Sequence, residues 1–211
     1  MHMEPPAGLS GKLRHQLPGW LKWFFTGFLV LWLPVMLRAY GTQNVLWLCE
    51  LGNILIVLAL WLESRLLLSA LLVGLLLVDL AWTVDLAVAL ATGLHPFAAT
   101  ANMVDPHLPL LVRLGSLFHL TVPVTLLFAV TRLGYDGRGF SLQAVFTMVV
   151  LLVSYLATTP ATNVNWVWGP GFSAPQTMVP TPVYLLGCLV AYPLVLYLPV
   201  HLAAARWLKK T

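Results

Sequence analysis

Long apolar stretches separated by short polar segments dominate this chain. Each stretch is close to the ~20 residues that a helix needs to cross the hydrocarbon core of a bilayer. The third is long enough to tilt or bend, and the short connections leave no room for a separate soluble domain. We therefore predict an all-α fold, a polytopic membrane helix bundle of about six transmembrane helices. The predicted spans are residues 20–37, 45–62, 66–91, 108–131, 142–158 and 182–204.

The composition indicates the same class of protein. Hydrophobic residues make up 60% of the chain and charged residues 9%, whereas a soluble domain carries about 25% charged residues. The formal charge is +4, but the basic residues lie at span ends, where they contact lipid headgroups. The bilayer is therefore an expected partner and nucleic acid is not. The two cysteines, both within spans, do not form a disulfide framework, and nothing in the sequence identifies a cofactor.

Lysine and arginine are distributed unequally between the two ends of the predicted spans. Positively charged loops stay in the cytoplasm, so the richer end predicts that both termini are cytoplasmic. Residues 1–19 are then a cytoplasmic segment, 20–204 the six-span bundle and 205–211 a basic tail. Arg38 faces the other side. The nine basic residues on the cytoplasmic side are Lys12, Arg14, Lys22, Arg65, Arg132, Arg138, Arg206, Lys209 and Lys210.

Several ionisable residues lie inside the predicted spans. A charge at bilayer depth costs a few kcal/mol or more, so such side chains normally face a bundle interior or a water-filled cavity. With the orientation above, most of them fall in the outer half of the bilayer. The sequence therefore predicts one polar cavity near the outer face. The residues concerned are Glu50, Asp79, Asp85, Arg113 and His119.

Other polar residues lie on the same helix faces as Glu50 and His119. Asn53 shares a helix face with Glu50, and Ser116 shares one with His119. Pro123 removes the backbone hydrogen bond to residue 119, which predicts a kink beside the histidine. We expect the polar faces of these two spans to line the cavity together.

The third span and a long outer loop complete the predicted cavity. Asp79 and Asp85 point about 120° apart on their helix, so we do not expect them to act as a pair. Trp82 lies between them at a depth typical of bundle packing. Loops of the length of 159–181 are uncommon unless functional, and we expect this one to fold back over the outer end of the bundle. It contributes Asn163, Asn165 and Trp166.

Four strings together resemble an uncharacterised family of small bacterial six-span membrane-associated proteins. They are residues 47–53 (WLCELGN), 79–85 (DLAWTVD), 116–119 (SLFH, with Pro123 after it) and 163–171 (NVNWVWGPG). The resemblance covers almost the whole chain and implies an integral, multi-pass protein of the bacterial cytoplasmic (inner) membrane. It brings no activity with it.

The chain is also similar, more distantly, to YwaF-like proteins and the androgen-induced-protein family of intramembrane lipid enzymes. That similarity implies an intramembrane lipid acyl hydrolase or acyltransferase. Cys49 would be the nucleophile, His119 the base and Asn165 an oxyanion donor, with Glu50 or Asp85 orienting the histidine. The string before Cys49 departs from the YwaF-like Leu-Pro-Leu-His. The cavity set beside these catalytic residues is Glu50, Asn53, Asp79, Trp82, Asp85, Arg113, Ser116, Asn163 and Trp166.

Other interpretations stay open at this point. Glu50, Asp85 and Arg113 can instead form interhelical ion pairs that only fix helix register. The buried acids can bind a cation or relay protons in a transporter or channel, although the inner halves of the spans are almost wholly apolar. A non-enzymatic component that binds a lipid or a partner helix is the third class, and an oligomer is possible. Glu50, Asp85 and His119 are a plausible metal-ligand set, but their spacing carries no metal-site signature, and no metal site is predicted.

The topology gives the first testable prediction. Reporter fusions after Thr211 and within the loop at Gly171 should report opposite sides of the membrane, because an excess of basic residues holds a loop in the cytoplasm. Fusions that report the same side would contradict the orientation and, with it, the placement of the cavity in the outer half.

Overall fold

A computed structural model describes residues 17–171 and 175–208. Within these residues the fold is all-α and built from six principal helices, five of them long and apolar enough to cross a membrane. The polytopic bundle predicted from the sequence is therefore confirmed. The helices are α1 (Gly19–Tyr40), α2 (Leu48–Trp61), α3 (Arg65–Thr92), α4 (Leu110–Leu133), α5 (Arg138–Ala157) and α6 (Thr181–Trp207).

The second predicted span, 45–62, is too long at its start. The helix α2 has 14 residues, because the preceding residues Thr42–Leu46 form a separate 3-10 turn. Gly41 makes this change of direction possible with a φ of 79°, a conformation that costs glycine nothing. Helix α2 therefore starts in a new direction after this turn and does not continue the axis of α1.

Helix α3 is the centre of the bundle. In its most apolar window 56% of residues are buried inside the protein, against 22% in α1 and α6, and it packs against α2, α4, α5 and α6. An all-round apolar sequence is typical of such a central helix. Asp79 and Asp85 lie on its buried side, so their carboxyl groups must find partners or a cavity inside the protein.

Hydrogen bonds identify the two ends of the bundle. At one end Lys22 Nζ contacts Glu63 Oε1 at 2.7 Å, and the amide of Tyr135 donates to the carbonyl of Leu208 at 2.9 Å. We call this the termini end, since both limits of the described chain, Leu17 and Leu208, lie there. The opposite end, formed by residues 41–47, 93–109, 158–171 and 175–180, is called the loop end.

The described basic residues follow this division. Lys22, Arg65, Arg132, Arg138 and Arg206 belong to the termini end, as the sequence predicts. The predicted Lys12, Arg14, Lys209 and Lys210, with most of segment 1–19, lie outside the described residues. The side of the membrane that each end faces stays a prediction.

Helices α4 and α6 each contain an irregular segment. The helical pattern of α4 is interrupted at Ser116 and Leu117, one to two turns before Pro123, so the kink expected at the proline lies earlier. Gly115 precedes the interruption and packs so closely on Met36 that a β-carbon would overlap the methionine methyl group. In α6, Tyr192–Tyr197 form a π-helical segment, a feature found frequently at functional sites.

The close packing of α3 on α5 gives a second prediction. A β-carbon at Gly139 would lie 2.7 Å from the backbone nitrogen of Ala70, and backbone cannot move aside as a flexible side chain can. Gly139→Ala should therefore destabilise the protein by about 1–3 kcal/mol, seen as a lower melting temperature in detergent. The matched control is Gly27→Ala, where nothing lies within 4 Å of the added carbon. Equal melting temperatures for the two variants would contradict this packing.

Candidate functional site

A cavity of about 650 Å³ opens within the loop-end half of the bundle. It lies between α1, α2, α3, α4 and α6 and is roofed by loop residues 97–102 and 162–166. Most of its wall is aliphatic or aromatic, as in small-molecule sites generally. The polar or titratable side chains on the wall are Tyr40, Gln43, Asn44, Cys49, Glu50, Asn102, Ser116, His119, Thr162, Asn165 and Tyr192.

The first turn of α2 brings Cys49 and Glu50 to the wall. The free N–H groups of a helix start need acceptors, and here the side-chain oxygen of Asn165 accepts from the amide of Leu48 at 2.9 Å. Glu50 Oε2 is buried and has no hydrogen-bond partner among the described residues. The loop-end start of α2 therefore presents an unsatisfied carboxyl oxygen beside the cavity.

Ring stacking and one hydrogen bond fix the position of His119 in the cavity wall. Its ring stacks on Trp82 with centroids 4.6 Å apart and on Phe118 at 3.9 Å. Nδ1 lies 2.8 Å from the carbonyl oxygen of Ser116, a carbonyl next to the interruption of α4. A carbonyl only accepts, so Nδ1 carries the hydrogen and donates. The other nitrogen, Nε2, is then free to accept in the neutral ring.

Asp79 lies behind His119, away from the cavity wall. Its Oδ1 is 3.9 Å from Nε2 of His119, its side chain is fully buried, and neither carboxyl oxygen has a hydrogen-bond partner among the described residues. Asn53, also buried, has no partner for either of its amide atoms in the described chain. Buried polar groups without partners are few in native proteins, and their concentration near the Cys49–Glu50 turn marks this region as the candidate site.

Asp85 is hydrogen-bonded to the loop residues 97–100, which form one part of the cavity roof. Its Oδ1 accepts from the amide of Phe97 at 2.7 Å, and its Oδ2 accepts from the amide and hydroxyl of Thr100 at 3.0 and 2.6 Å. His95 Nδ1 is 3.0 Å from the Thr100 hydroxyl. The carboxylate of Asp85 is fully engaged with the loop and holds residues 97–100 over the cavity.

The second roof segment is held by two asparagines. Asn165 Nδ2 donates to the carbonyl of Leu46 at 2.7 Å and to Ser154 Oγ at 2.9 Å. Asn163 Nδ2 donates to the carbonyls of Gly169 and Gly171, while its Oδ1 accepts from the amide of Trp168. As expected from its composition, this part of the long loop packs into the end of the bundle.

The backbone of Trp166, in this second roof segment, is strained. Its φ is 56°, a left-handed conformation that is uncommon for a bulky residue and costs of the order of 1–3 kcal/mol. Asn163 and Asn165 adopt φ angles of 39° and 54°, which asparagine tolerates better. Strain of this kind persists only where surrounding contacts enforce it, here beside the cavity.

The structure brings only part of the predicted set to the cavity wall. Asn53, Asp79, Asp85, Arg113 and Asn163 do not line it. The lining members of the predicted set are Cys49, Glu50, Trp82, Ser116, His119, Asn165 and Trp166.

Several detailed expectations need correction. Glu50, Asp85 and Arg113 make no ion pair with one another among the described residues, because Asp85 is bound by the roof and Arg113 Nη1 points to the carbonyl of Met103. The carboxylate that faces His119 is that of Asp79 rather than Glu50 or Asp85.

The predicted catalytic geometry is also incomplete. No hydrogen bond in the described chain joins Cys49 to His119, since Nδ1 of the histidine faces Ser116 and Nε2 faces Asp79. The amide of Asn165 is fully used by Leu46, Leu48 and Ser154 and has no hydrogen left for an oxyanion. In residues 17–171 and 175–208, no group of three or more His, Cys, Asp or Glu is placed to hold a metal ion.

Six polar residues of the wall escaped sequence reasoning, namely Tyr40, Gln43, Asn44, Asn102, Thr162 and Tyr192. Asn102 donates to Ser116 Oγ at 3.2 Å from a loop that the sequence assigned no role. Tyr40 ends α1, and Tyr192 begins the π-helical segment of α6 and donates to the carbonyl of Asn165 at 3.1 Å. Only Tyr192 carried a signal, because Pro193 after it disturbs an otherwise regular helix.

The roof gives a third prediction. Asp85→Asn replaces one accepting oxygen by an NH2 group that faces N–H donors, so each charge-assisted bond lost should cost about 1.5–3 kcal/mol. Hydrogen exchange measured by mass spectrometry should become faster in residues 94–101. Asp105→Asn, at a half-buried position in the same loop where the carboxyl group accepts from the amide of His107, is the control. Unchanged exchange in Asp85→Asn would contradict the role given to this carboxylate.

No family model, no curated protein and no solved structure matches this chain. The likeness to six-span membrane-associated proteins and to intramembrane lipid enzymes therefore stays a prediction, and the functional argument rests on the geometry of the site.

Proposed function

We propose that this integral membrane protein binds a lipid-like amphiphile in the loop-end cavity, with the polar head of the ligand beside Glu50 and His119. The observation that carries the proposal is the cavity itself, with apolar walls on most sides and unsatisfied buried polar groups at one place. A purely polar solute would leave the aromatic and aliphatic wall without contacts. A purely apolar one would leave the buried carboxyl oxygen of Glu50 without a partner.

The polar groups of the loop-end cavity favour a ligand whose polar head donates hydrogen bonds. Glu50 lines the cavity and its Oε2 has no donor among the described residues, so it favours a ligand that donates a hydrogen bond or carries positive charge. None of the described residues on the cavity wall is a lysine or arginine, the residues that normally bind phosphate. A hydroxyl-rich or amine head therefore fits this site better than a phosphate.

Acid–base chemistry is the reaction class that the site supports best. The accepting Nε2 of His119 lies 3.9 Å from a carboxyl oxygen of Asp79, beyond direct hydrogen-bond reach, and one bridging water would connect the two groups for proton transfer. Acyl transfer through Cys49 is part of the proposal: His119 takes the thiol proton, and the thiolate attacks the ester carbonyl of the bound lipid. The ester C–O bond breaks to leave a thioester while the departing alcohol takes the proton from His119, and water then hydrolyses the thioester. This step requires Cys49 and His119, both on the wall, to come within hydrogen-bond reach once the ligand is present.

The fourth prediction tests ligand binding directly. Protein purified from membranes in a mild detergent and measured by native mass spectrometry should carry a co-purified amphiphile. Ala81→Trp, on the cavity wall, should lose it because the indole fills the space. The matched control is Ala87→Trp, an exposed alanine on the same helix, which should keep the ligand.

Variants at the polar end keep the test decisive if Ala81→Trp does not fold. Glu50→Gln and His119→Gln should each reduce the bound fraction by about tenfold, the effect of losing one hydrogen bond to a charged or ring partner. A fatty-acyl mass added to Cys49 and absent in Cys49→Ala would establish the acyl step. Wild-type protein without any co-purified amphiphile, together with Glu50-dependent ion flux in liposomes, would replace the proposal by transport.

A further inference from the structure

A second cavity lies in the termini half of the bundle. It has a volume of about 330 Å³ and lies between α3, α4 and α6. Its wall contains no titratable side chain among the described residues. The residues that line it are Leu72, Leu76, Leu77, Leu127, Pro199, Val200, Ala203, Ala204, Trp207 and Leu208. We call it the apolar groove.

The apolar groove lies next to the loop-end cavity, along helices α3 and α6. Leu77 lines both spaces. On α6, Leu196 lines the cavity and Val200 lines the groove, and residues four apart lie on the same helix face. The two spaces are therefore placed end to end, and the half-buried side chain of Leu77 stands between them.

The lengths of the helices define what the combined space can hold. Trp82 stacks on His119 at the polar end, and Leu72 lines the groove ten residues earlier on α3. At 1.5 Å per residue, these two levels are about 15 Å apart. The groove is small, near the lower limit of ligand sites, and so has room for one chain rather than several.

We infer that the amphiphile bound in the loop-end cavity carries a long apolar chain that passes Leu77 and lies in the apolar groove. The inference rests on the proposed function and adds to it the class of ligand, a long-chain lipid with a head that is not anionic. Little free energy is gained when a chain moves from bilayer to groove, since lipid tails are as apolar as leucine. The polar head thus supplies the affinity, and the groove selects ligands whose chain follows its path.

Site-specific photolabelling tests the path of the chain. Two long-chain monoacylglycerol probes are used in phosphatidylcholine nanodiscs, one with a diazirine beside the ester and one with a diazirine at the chain end. Labelled positions are identified by mass spectrometry of the full-length protein after digestion. The first probe should label residues of the loop-end cavity, and the second should label the groove near Leu72 and Ala203–Trp207.

Two variants separate a seated chain from random contact with the bilayer. Ala203→Phe fills the groove and should reduce labelling there by the chain-end probe by about tenfold, as a steric clash in a packed site does. Labelling of the cavity by the ester probe should persist. The control Ala191→Phe makes the same substitution at an exposed position of the same helix and should leave both patterns unchanged.

The outcomes distinguish this inference from the proposed function. Cavity labelling by the ester probe, with chain-end labelling spread over lipid-facing residues and insensitive to Ala203→Phe, would overturn the inference alone. Groove labelling that an unrelated phosphatidylcholine probe reproduces equally would also overturn it, because bilayer lipid would then fill the groove. Absence of cavity labelling by the ester probe would instead count against the proposed function.

Discussion

The carboxamide of Asn165 joins three segments of the loop end. It accepts from the first turn of α2 and donates to the end of the 3-10 turn and to the side chain of Ser154 on α5. Inside an apolar bundle each of these groups would cost several kcal/mol if left without a partner. The loop is thus held over the bundle by the need to satisfy backbone groups, and the loop-end cavity is the space left beneath it.

Asp85 applies the same constraint on the other side of the cavity. Its two oxygens take three hydrogen bonds from residues 97–100, so the roof is fixed from a helix that is itself fixed by packing. The contrast with Asp79 is informative. One turn and a half away on the same helix, Asp79 is equally buried and has no such donors in the described chain. That difference separates a structural acid from a candidate functional one.

The sequence predicted the class of a polytopic helix bundle, because the class depends on composition and on the length of the apolar stretches. It could not say which acids would meet which partners. Asp85 and Arg113 looked like cavity residues, yet loop backbone determines where both point, and loop conformation is not encoded in hydrophobic periodicity. The sequence predicted both His119 and Asp79 as site residues but not their approach to each other, since that depends on how α3 and α4 are rotated against each other.

The central claim is that an amphiphile fills the loop-end cavity, and a cryo-electron microscopy map of the protein in lipid nanodiscs tests it most directly. The account predicts elongated density that begins between Glu50 and His119, passes Leu77 and runs towards Trp207. It also predicts that the carboxyl group of Glu50 contacts the head of that density. A cavity holding only isolated solvent peaks, or one closed by a direct contact between Glu50 and His119, would contradict the account.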